Sequence, residues 1–139
     1  MKMENKQKEN KVEEKSLAIV RTTLPVSRKQ SMAIIKFIKG KKISDATKLL
    51  EDVVKMKKAV PMKGEIPHRK GMMSGRYPIK ASGMFIKLLK GLNANASQKE
   101  GAESAFIYGK ANIAPKSMRP GRFRHKFKRA HVELRLEKK

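Results

Sequence analysis

The chain contains no cysteine and no tryptophan among its 139 residues. Without cysteine there is no disulfide, no thiolate metal site and no cysteine nucleophile. The aromatic residues are five Phe and two Tyr, which disfavours a protein that binds single-stranded nucleic acid on a broad aromatic platform. These absences exclude thiol-based enzymes and cysteine zinc sites.

Long apolar runs are also missing. No stretch approaches the roughly 18 apolar residues of a membrane-spanning helix, and residues 1–15 are polar and charged, with no apolar signal-peptide core. We therefore expect a cytoplasmic protein without a membrane partner. The length suits one small domain with a modest core.

Acidic residues are few, with 12 Asp and Glu against 35 Lys and Arg, giving a net charge of +23. Such an excess opposes compaction through self-repulsion, so it usually reflects a polyanionic partner. By charge alone, nucleic acid and an anionic membrane surface are both candidates, but the basic residues do not lie opposite Trp- or Phe-rich faces, which disfavours the membrane. The amount of charge alone does not separate RNA from DNA or lipid, so its placement has to decide.

Hydrophobic patterning predicts a weakly ordered charged tail over residues 1–15 and a single domain over 16–139. The domain begins with a short apolar and β-branched run at 17–23. This run stops at Pro25 and predicts a strand.

Two helices are predicted next. Ser27 and Gln30 have the spacing of a capping box, and Gly40 supplies a stop. A second helix starts at Ser44 and ends near Lys58. The apolar positions of the two helices are Ile34, Ile35, Ile38, Ala46, Leu49, Leu50, Val53 and Val54.

A loop rich in Pro, Gly and Met is predicted over 60–75, followed by a third helix after Pro78. Gly83 and Gly91 lower the helix propensity, but they would allow a neighbouring element to approach closely. The predicted apolar face consists of Ala81, Phe85, Leu88, Leu92 and Ala96.

The remaining chain alternates with a period of two, which predicts two strands of a long hairpin over about 104–137. The predicted inward positions are Ala105, Ile107, Gly109, Ala111, Ile113, Ala130, Val132, Leu134 and Leu136. The connector at 116–129 has seven basic residues and no acidic ones, so its outer part should project from the core. The predicted fold is α+β, with three helices packed on a small antiparallel sheet and a protruding basic β-hairpin.

Charge placement favours RNA. The stretches 66–99 and 108–131 contain no acidic residue, whereas solvated faces normally mix both signs. Arg pairs with phosphate bidentately, and Phe123 and Phe127 could stack on unpaired bases. A mobile, solvated loop is the alternative interpretation of this segment. The predicted RNA-binding residues are His68, Arg69, Lys70, Arg76, Lys80, Lys110, Lys116, Arg119, Arg122, Phe123, Arg124, His125, Lys126, Lys128 and Arg129.

Catalytic and metal sites are disfavoured. The three histidines, His68, His125 and His131, are far apart in sequence and have no cysteine partners. The Gly-rich run at 71–76 lacks the Gly-Lys-Ser/Thr ending of a nucleotide-binding loop and follows no predicted strand. A backbone that bends around RNA phosphate and a plain flexible loop are the two interpretations that remain for it. No enzyme activity, cofactor, metal or small-molecule substrate is predicted.

Several motifs in this order resemble a known family. They are Gly40-Lys41-Lys42-Ile43-Ser44-Asp45-Ala46, Ala59-Val60-Pro61, His68-Arg69-Lys70-Gly71, Gly75-Arg76-Tyr77-Pro78, Ala114-Pro115-Lys116, Gly121-Arg122 and Arg129-Ala130-His131-Val132-Glu133. Together, over 17–137, the chain resembles the universal large-subunit ribosomal protein family numbered twenty-two in bacteria and seventeen in eukaryotes. The long loop before the third helix is similar to the archaeal and eukaryotic branch.

The resemblance implies a structural protein in the cytoplasmic ribosome, seated on large-subunit ribosomal RNA beside other large-subunit proteins. Its hairpin would run toward the polypeptide exit tunnel, with the nascent peptide near the tip. By position, Lys116, Arg119, Arg122 and Arg124 would form the tip, and the segment 126–129 the returning arm. The alternative is a basic DNA-binding or nucleoid-associated protein, although no predicted helix concentrates base-reading residues on one face.

One departure from the family concerns the hairpin length. The segment between Pro115 and His131 is about six residues shorter than the family pattern, which shortens the reach by on the order of 10 Å at about 3.3 Å per residue. The resemblance therefore implies RNA binding by the hairpin more directly than lining of the tunnel by its tip.

Overall fold

A computed structural model describes residues 16–64, 68–97, 99, 101, 104–118, 120–121 and 125–138. The elements, in chain order, are β1 (Ser16–Leu24), α1 (Arg28–Ile38), α2 (Ile43–Val54), β2 (Val60–Pro61), β3 (His68–Arg69), β4 (Met73–Arg76), α3 (Ile79–Ala96), β5 (Phe106–Met118) and β6 (Lys126–Glu137). Three helices with two small antiparallel sheets confirm the predicted α+β class. The predicted tail at 1–15 lies outside the described residues.

The larger sheet has the order β1-β6-β5, so the last strand along the chain occupies its centre. β6 pairs antiparallel with both neighbours. Its alternating positions Ala130, Val132, Leu134 and Leu136 are buried, as predicted, because they all point to the same side of the pleat.

The helices cover only that side of the sheet. α1 packs on β5 and β6, α3 packs on β1 and β6, and α2 packs against α3. Each helix contributes an apolar stripe, and the largest fully buried side chains include Phe85, Ile34, Ile38, Leu50 and Leu92. Leu89, not the predicted Leu88, completes the buried face of α3. None of the helices in the described ranges is long and apolar enough to cross a bilayer.

Two helix ends differ from the predictions. Ser27 is the N-cap residue of α1, but its side chain makes no capping hydrogen bond, so the predicted capping box is wrong. α2 ends at Val54 and not near Lys58. The reason is the left-handed conformation of Met56 (φ 56°), after which the N–H groups of Lys57 and Lys58 both donate to the Asp52 carbonyl.

The close approach between elements occurs at Gly109 in β5 and not at the glycines of α3. A Cβ at Gly109 would lie 2.8 Å from the Glu133 carbonyl oxygen and 2.7 Å from Leu134 Cδ2. At Gly83 and Gly91 a Cβ would meet nothing within 4 Å. The prediction of a close approach at the α3 glycines is therefore wrong. The position that requires a residue without a Cβ is Gly109, in the larger sheet.

The predicted loop at 60–75 contains a second, three-stranded sheet with the order β2-β4-β3. Val60 pairs with Arg76, and His68 pairs with Ser74. The strands are two to four residues long and include Pro and Gly, so they have too little alternation to be detected in the sequence. This part of the chain is thus a paired β-structure, and the interpretation as a plain flexible loop is wrong for its described residues.

Candidate nucleic-acid interface

The hairpin arms extend beyond the three-stranded part of the sheet. β5 and β6 stay paired out to Met118 and Lys126, whereas β1 pairs with β6 only as far as Ala130. Between Ser117 and Arg129, none of the described side chains is buried. This segment is therefore two-stranded and open to solvent on its described faces.

Basic side chains occupy this two-stranded part. The predicted RNA-binding residues Lys116, His125, Lys126, Lys128 and Arg129 are all exposed. Phe127, whose partner across the strands is Ser117, keeps 41% of its surface exposed. The predicted tip residues Arg119, Arg122, Phe123 and Arg124 lie outside the described residues.

The alternation predicted for β5 fails where the arm leaves the core. Ile113 was predicted to face inward, but it is 66% exposed, while Ala114 is buried. An irregularity in the pairing follows between Ala114 and Ser117, and such irregularities bend a strand and increase its twist. The arms therefore do not simply continue the flat face of the sheet.

The second basic group, His68, Arg69 and Lys70, lies on β3 and its turn. The turn to β4 is tight, with Gly71 at φ 83° and the Met72 N–H donating to the Arg69 carbonyl at 3.1 Å. Arg76 lies on β4 and Lys80 in the first turn of α3, and both are exposed. The paired strands give this group a defined backbone, which a free loop would not provide.

Arg69 is held in place by a neighbour that the sequence did not identify. Its guanidinium carbon lies 4.5 Å from the centroid of the Tyr77 ring, and Nη1 donates to the Tyr77 hydroxyl at 2.9 Å. Gly75 leaves room for the aliphatic part of the Arg69 side chain, because a Cβ at Gly75 would lie 3.2 Å from Arg69 Cδ. Stacking on an aromatic face leaves guanidinium N–H groups available for phosphate. Tyr77 is therefore a positioning residue for Arg69.

We expect Tyr77→Leu to weaken binding of large-subunit ribosomal RNA by about three- to tenfold, because both the ring contact and the hydrogen bond are lost. Tyr77→Phe, which keeps the ring, should cause a smaller loss. Electrophoretic mobility shifts measure both effects. In the Arg69→Ala background, Tyr77→Leu should cause almost no further loss, and an undiminished loss there would show that Tyr77 does not act through Arg69.

Lys110 lies apart from both groups, on the face of the larger sheet opposite the three described helices. Its Nζ is 3.5 Å from Glu133 Oε2, which also accepts a hydrogen bond from Arg21 Nε at 3.0 Å. Arg21 and Glu133 were missed as neighbours of Lys110, since only the strand register brings them together. The sequence signal that could have identified them is the period-two pattern of β1 and β6.

No group of three or more His, Asp or Glu in the described ranges is arranged to hold a metal ion. His68 pairs with β4 in the small sheet, while His131 lies in the centre of the larger sheet. The histidines thus belong to different surfaces of the molecule.

No family model matches the chain. Among curated proteins, it is similar to the large ribosomal subunit protein uL22 of Archaeoglobus fulgidus, with 46% identity over 82 residues, which is 55% of this chain and 53% of that protein. It is also similar to uL22 of Methanocaldococcus jannaschii, with 38% identity over 92 residues (62% and 59% of the two chains). A third relative, uL22 of Staphylothermus marinus, has 37% identity over 89 residues (58% and 57%).

The chain thus spans between half and two thirds of the length of the curated relatives it matches. All three relatives are archaeal, in agreement with the branch predicted from the long loop before α3. The similarity supports the resemblance predicted from the motifs: over the matched segment, this chain is similar to archaeal large ribosomal subunit protein uL22.

Proposed function

We propose that this protein is a structural component of the large ribosomal subunit that binds ribosomal RNA and catalyses no reaction. The observation that carries the proposal is the hairpin whose two-stranded arms carry Lys116, Lys126, Lys128 and Arg129, all exposed. A two-stranded ribbon without a core of its own is marginal in water, so a surrounding polyanion would be its natural support. The similarity to proteins named large ribosomal subunit protein uL22 favours ribosomal RNA as this polyanion.

The RNA contacts fall into two groups under this proposal. His68, Arg69, Lys70, Arg76 and Lys80 bind phosphates from the side of the small sheet. The hairpin residues bind from both arms, and Phe127, which is 41% exposed, stacks on an unpaired base. Many such contacts would fix RNA segments relative to one another, which is a role in assembly and rigidity that needs no cofactor.

The hairpin tip, with Arg119, Arg122, Phe123 and Arg124, is proposed to point toward the polypeptide exit tunnel, where the nascent peptide would pass. Neighbouring large-subunit proteins are the second class of partner. The chain would then act in the ribosome of the cytoplasm.

The test is fractionation on a sucrose gradient of a lysate from cells that make the chain, before and after a high-salt wash. We expect the protein to sediment with the large subunit at one copy per particle and to survive the wash. A protein that binds only through peripheral phosphate contacts is the control, and the wash should remove it. Six to ten such contacts lose about 10³ to 10⁵ in affinity between 50 and 200 mM salt. Sedimentation with DNA, or absence from the subunit peak, would replace this proposal by the nucleoid-associated one.

A further inference from the structure

The side of the larger sheet opposite the helices carries a compact set of polar residues from all three strands. We call this set the outer sheet cluster: Arg21 and Thr23 of β1, Lys110 and Asn112 of β5, and His131 and Glu133 of β6. Five of these side chains are exposed, and Glu133 is half-buried. None of the six belongs to the hairpin arms beyond Ala130, so the cluster is a separate surface.

The strand register arranges the cluster in two rows. Arg21 and Lys110 are both paired with Glu133, and Thr23 and Asn112 are both paired with His131. Residues directly opposite in antiparallel strands have Cβ atoms about 4.5 to 5.5 Å apart. The rows are neighbours on β6 because His131 and Glu133 are two residues apart and therefore point to the same side. One row is ionic, and the other is neutral.

The ionic row brings two cations to one carboxylate. Glu133 Oε2 lies 3.0 Å from Arg21 Nε and 3.5 Å from Lys110 Nζ. The side chain of Glu133 is 13% exposed, whereas those of Arg21 and Lys110 are 58% and 55% exposed. The carboxylate is thus beneath the two cations and orients them, while the cations face an incoming anion.

The neutral row offers hydrogen-bonding groups of both kinds. Thr23 Oγ1 and His131 Nδ1 are 2.7 Å apart and form a hydrogen bond, so Nε2 is the ring nitrogen that this bond does not use. Asn112 is exposed and presents an amide with one acceptor and two donors. Side-chain amides are suited to paired hydrogen bonds with the edge of a base.

A cavity of about 320 Å³ is lined by the whole cluster, together with Thr22 and Val132. This volume is at the lower end of the range for ligand pockets, which begins at about 300 Å³. It is of a size to hold one nucleotide and not a folded element. An anionic group would meet the cations at one side, and a polar ring edge would meet Asn112 and His131 at the other.

We propose that the outer sheet cluster binds one unpaired RNA nucleotide, with its base edge at Asn112 and His131 and its phosphate at Arg21 and Lys110. The proposal rests on the proposed function, and it adds a base-reading site outside the two-stranded hairpin arms. An acidic peptide would use the two cations but would leave the amide and imidazole without a matching partner. The separation of charged and neutral groups at adjacent positions therefore favours a nucleotide.

The test measures binding of the full chain to four short oligoribonucleotides, each a run of a single base, at several salt concentrations. Wild-type protein should prefer one base by about tenfold or more, since a paired base-edge contact contributes about 1 to 3 kcal/mol of discrimination. Asn112→Ala with His131→Ala should abolish the preference and leave the salt dependence unchanged. Arg21→Gln with Lys110→Gln should reduce the salt slope by about 0.7, the contribution of one phosphate on a single strand, and keep the preference.

A variant with Lys116, Lys126 and Lys128 replaced by Gln is the matched control, since it removes charge from the hairpin arms and should keep the preference for one base. If the Asn112 and His131 substitutions leave the preference unchanged, the cluster does not bind a nucleotide, while the proposed function still stands. Loss of binding to an acidic peptide, but not to RNA, in the Arg21 and Lys110 variant would replace the nucleotide by a protein partner. If the wild-type chain binds no RNA at all, the proposed function fails as well. Circular dichroism of each variant verifies that the sheet is intact.

Discussion

Replacing Lys116, Lys126 and Lys128 by Gln should make RNA binding much less sensitive to salt. All three side chains are exposed on the two-stranded hairpin arms. If each contacts a phosphate, the slope of log affinity against log salt should fall by about 2 to 3, because each neutralised phosphate contributes about 0.7 to 0.9 to the slope. The same relation gives a loss of about 10²-fold in affinity at 0.1 M salt. Filter binding with large-subunit ribosomal RNA over a salt series measures both quantities.

A control variant with the same change in net charge separates the effect of specific phosphate contacts from that of general electrostatic attraction. Lys48 on α2, and Lys55 and Lys57 just after it, are also exposed. They lie close to acidic residues of α2, such as Glu51, and the proposed interface does not include them. Replacing these three by Gln should change the slope by less than about one. Equal changes for the two triple variants would mean that the hairpin arms make no specific phosphate contacts.

Two glycine-to-alanine substitutions should change stability in opposite directions. Gly109→Ala should lower the free energy of unfolding by about 1 to 3 kcal/mol, because the new methyl group would overpack a well-filled core. The contact that cannot relax by a side-chain rotation is the one with the Glu133 carbonyl oxygen, which would be 2.8 Å from the new Cβ. β5 would have to move away from the central strand, which would weaken the pairing that holds the hairpin.

Gly91→Ala is the matched partner, with the same chemical change in an exposed part of α3. A Cβ there meets nothing within 4 Å, so alanine should raise the free energy of unfolding by about 0.5 to 1 kcal/mol through its higher helix propensity. Urea unfolding at a salt concentration that screens the net charge measures both variants. A destabilising Gly91→Ala, or a neutral Gly109→Ala, would contradict the packing described for these positions.

The parts of the fold that were predictable from the sequence are those with sustained periodicity. β6 alternates without interruption from Ala130 to Glu137, so its inward positions follow directly from the pattern. The stripes of α1 and α2 are equally regular. The small sheet was missed because strands of two residues have no period. The end of α2 was misplaced because it depends on the left-handed conformation of Met56, a residue type that does not usually adopt it.

The candidate site divides in the same way. The exposure of His125, Lys126 and Lys128 follows from composition, because a stretch rich in basic residues and without acidic ones has no reason to be buried. The neighbours that orient basic side chains do not follow from composition. Glu133 reaches Arg21 across 112 positions of the chain, and this contact depends on the register of strands that no local pattern specifies.

The position of β6 has a consequence for the order of events during synthesis. β1 emerges from the ribosome first, yet its only described strand partner is β6, which comes after every other element. Until β6 has been made, β1 and β5 each have an unpaired edge and their apolar sides lack the central strand. The sheet thus forms late in translation, and a chain that stops before Lys126 would have three helices but no larger sheet against which α1 and α3 can pack.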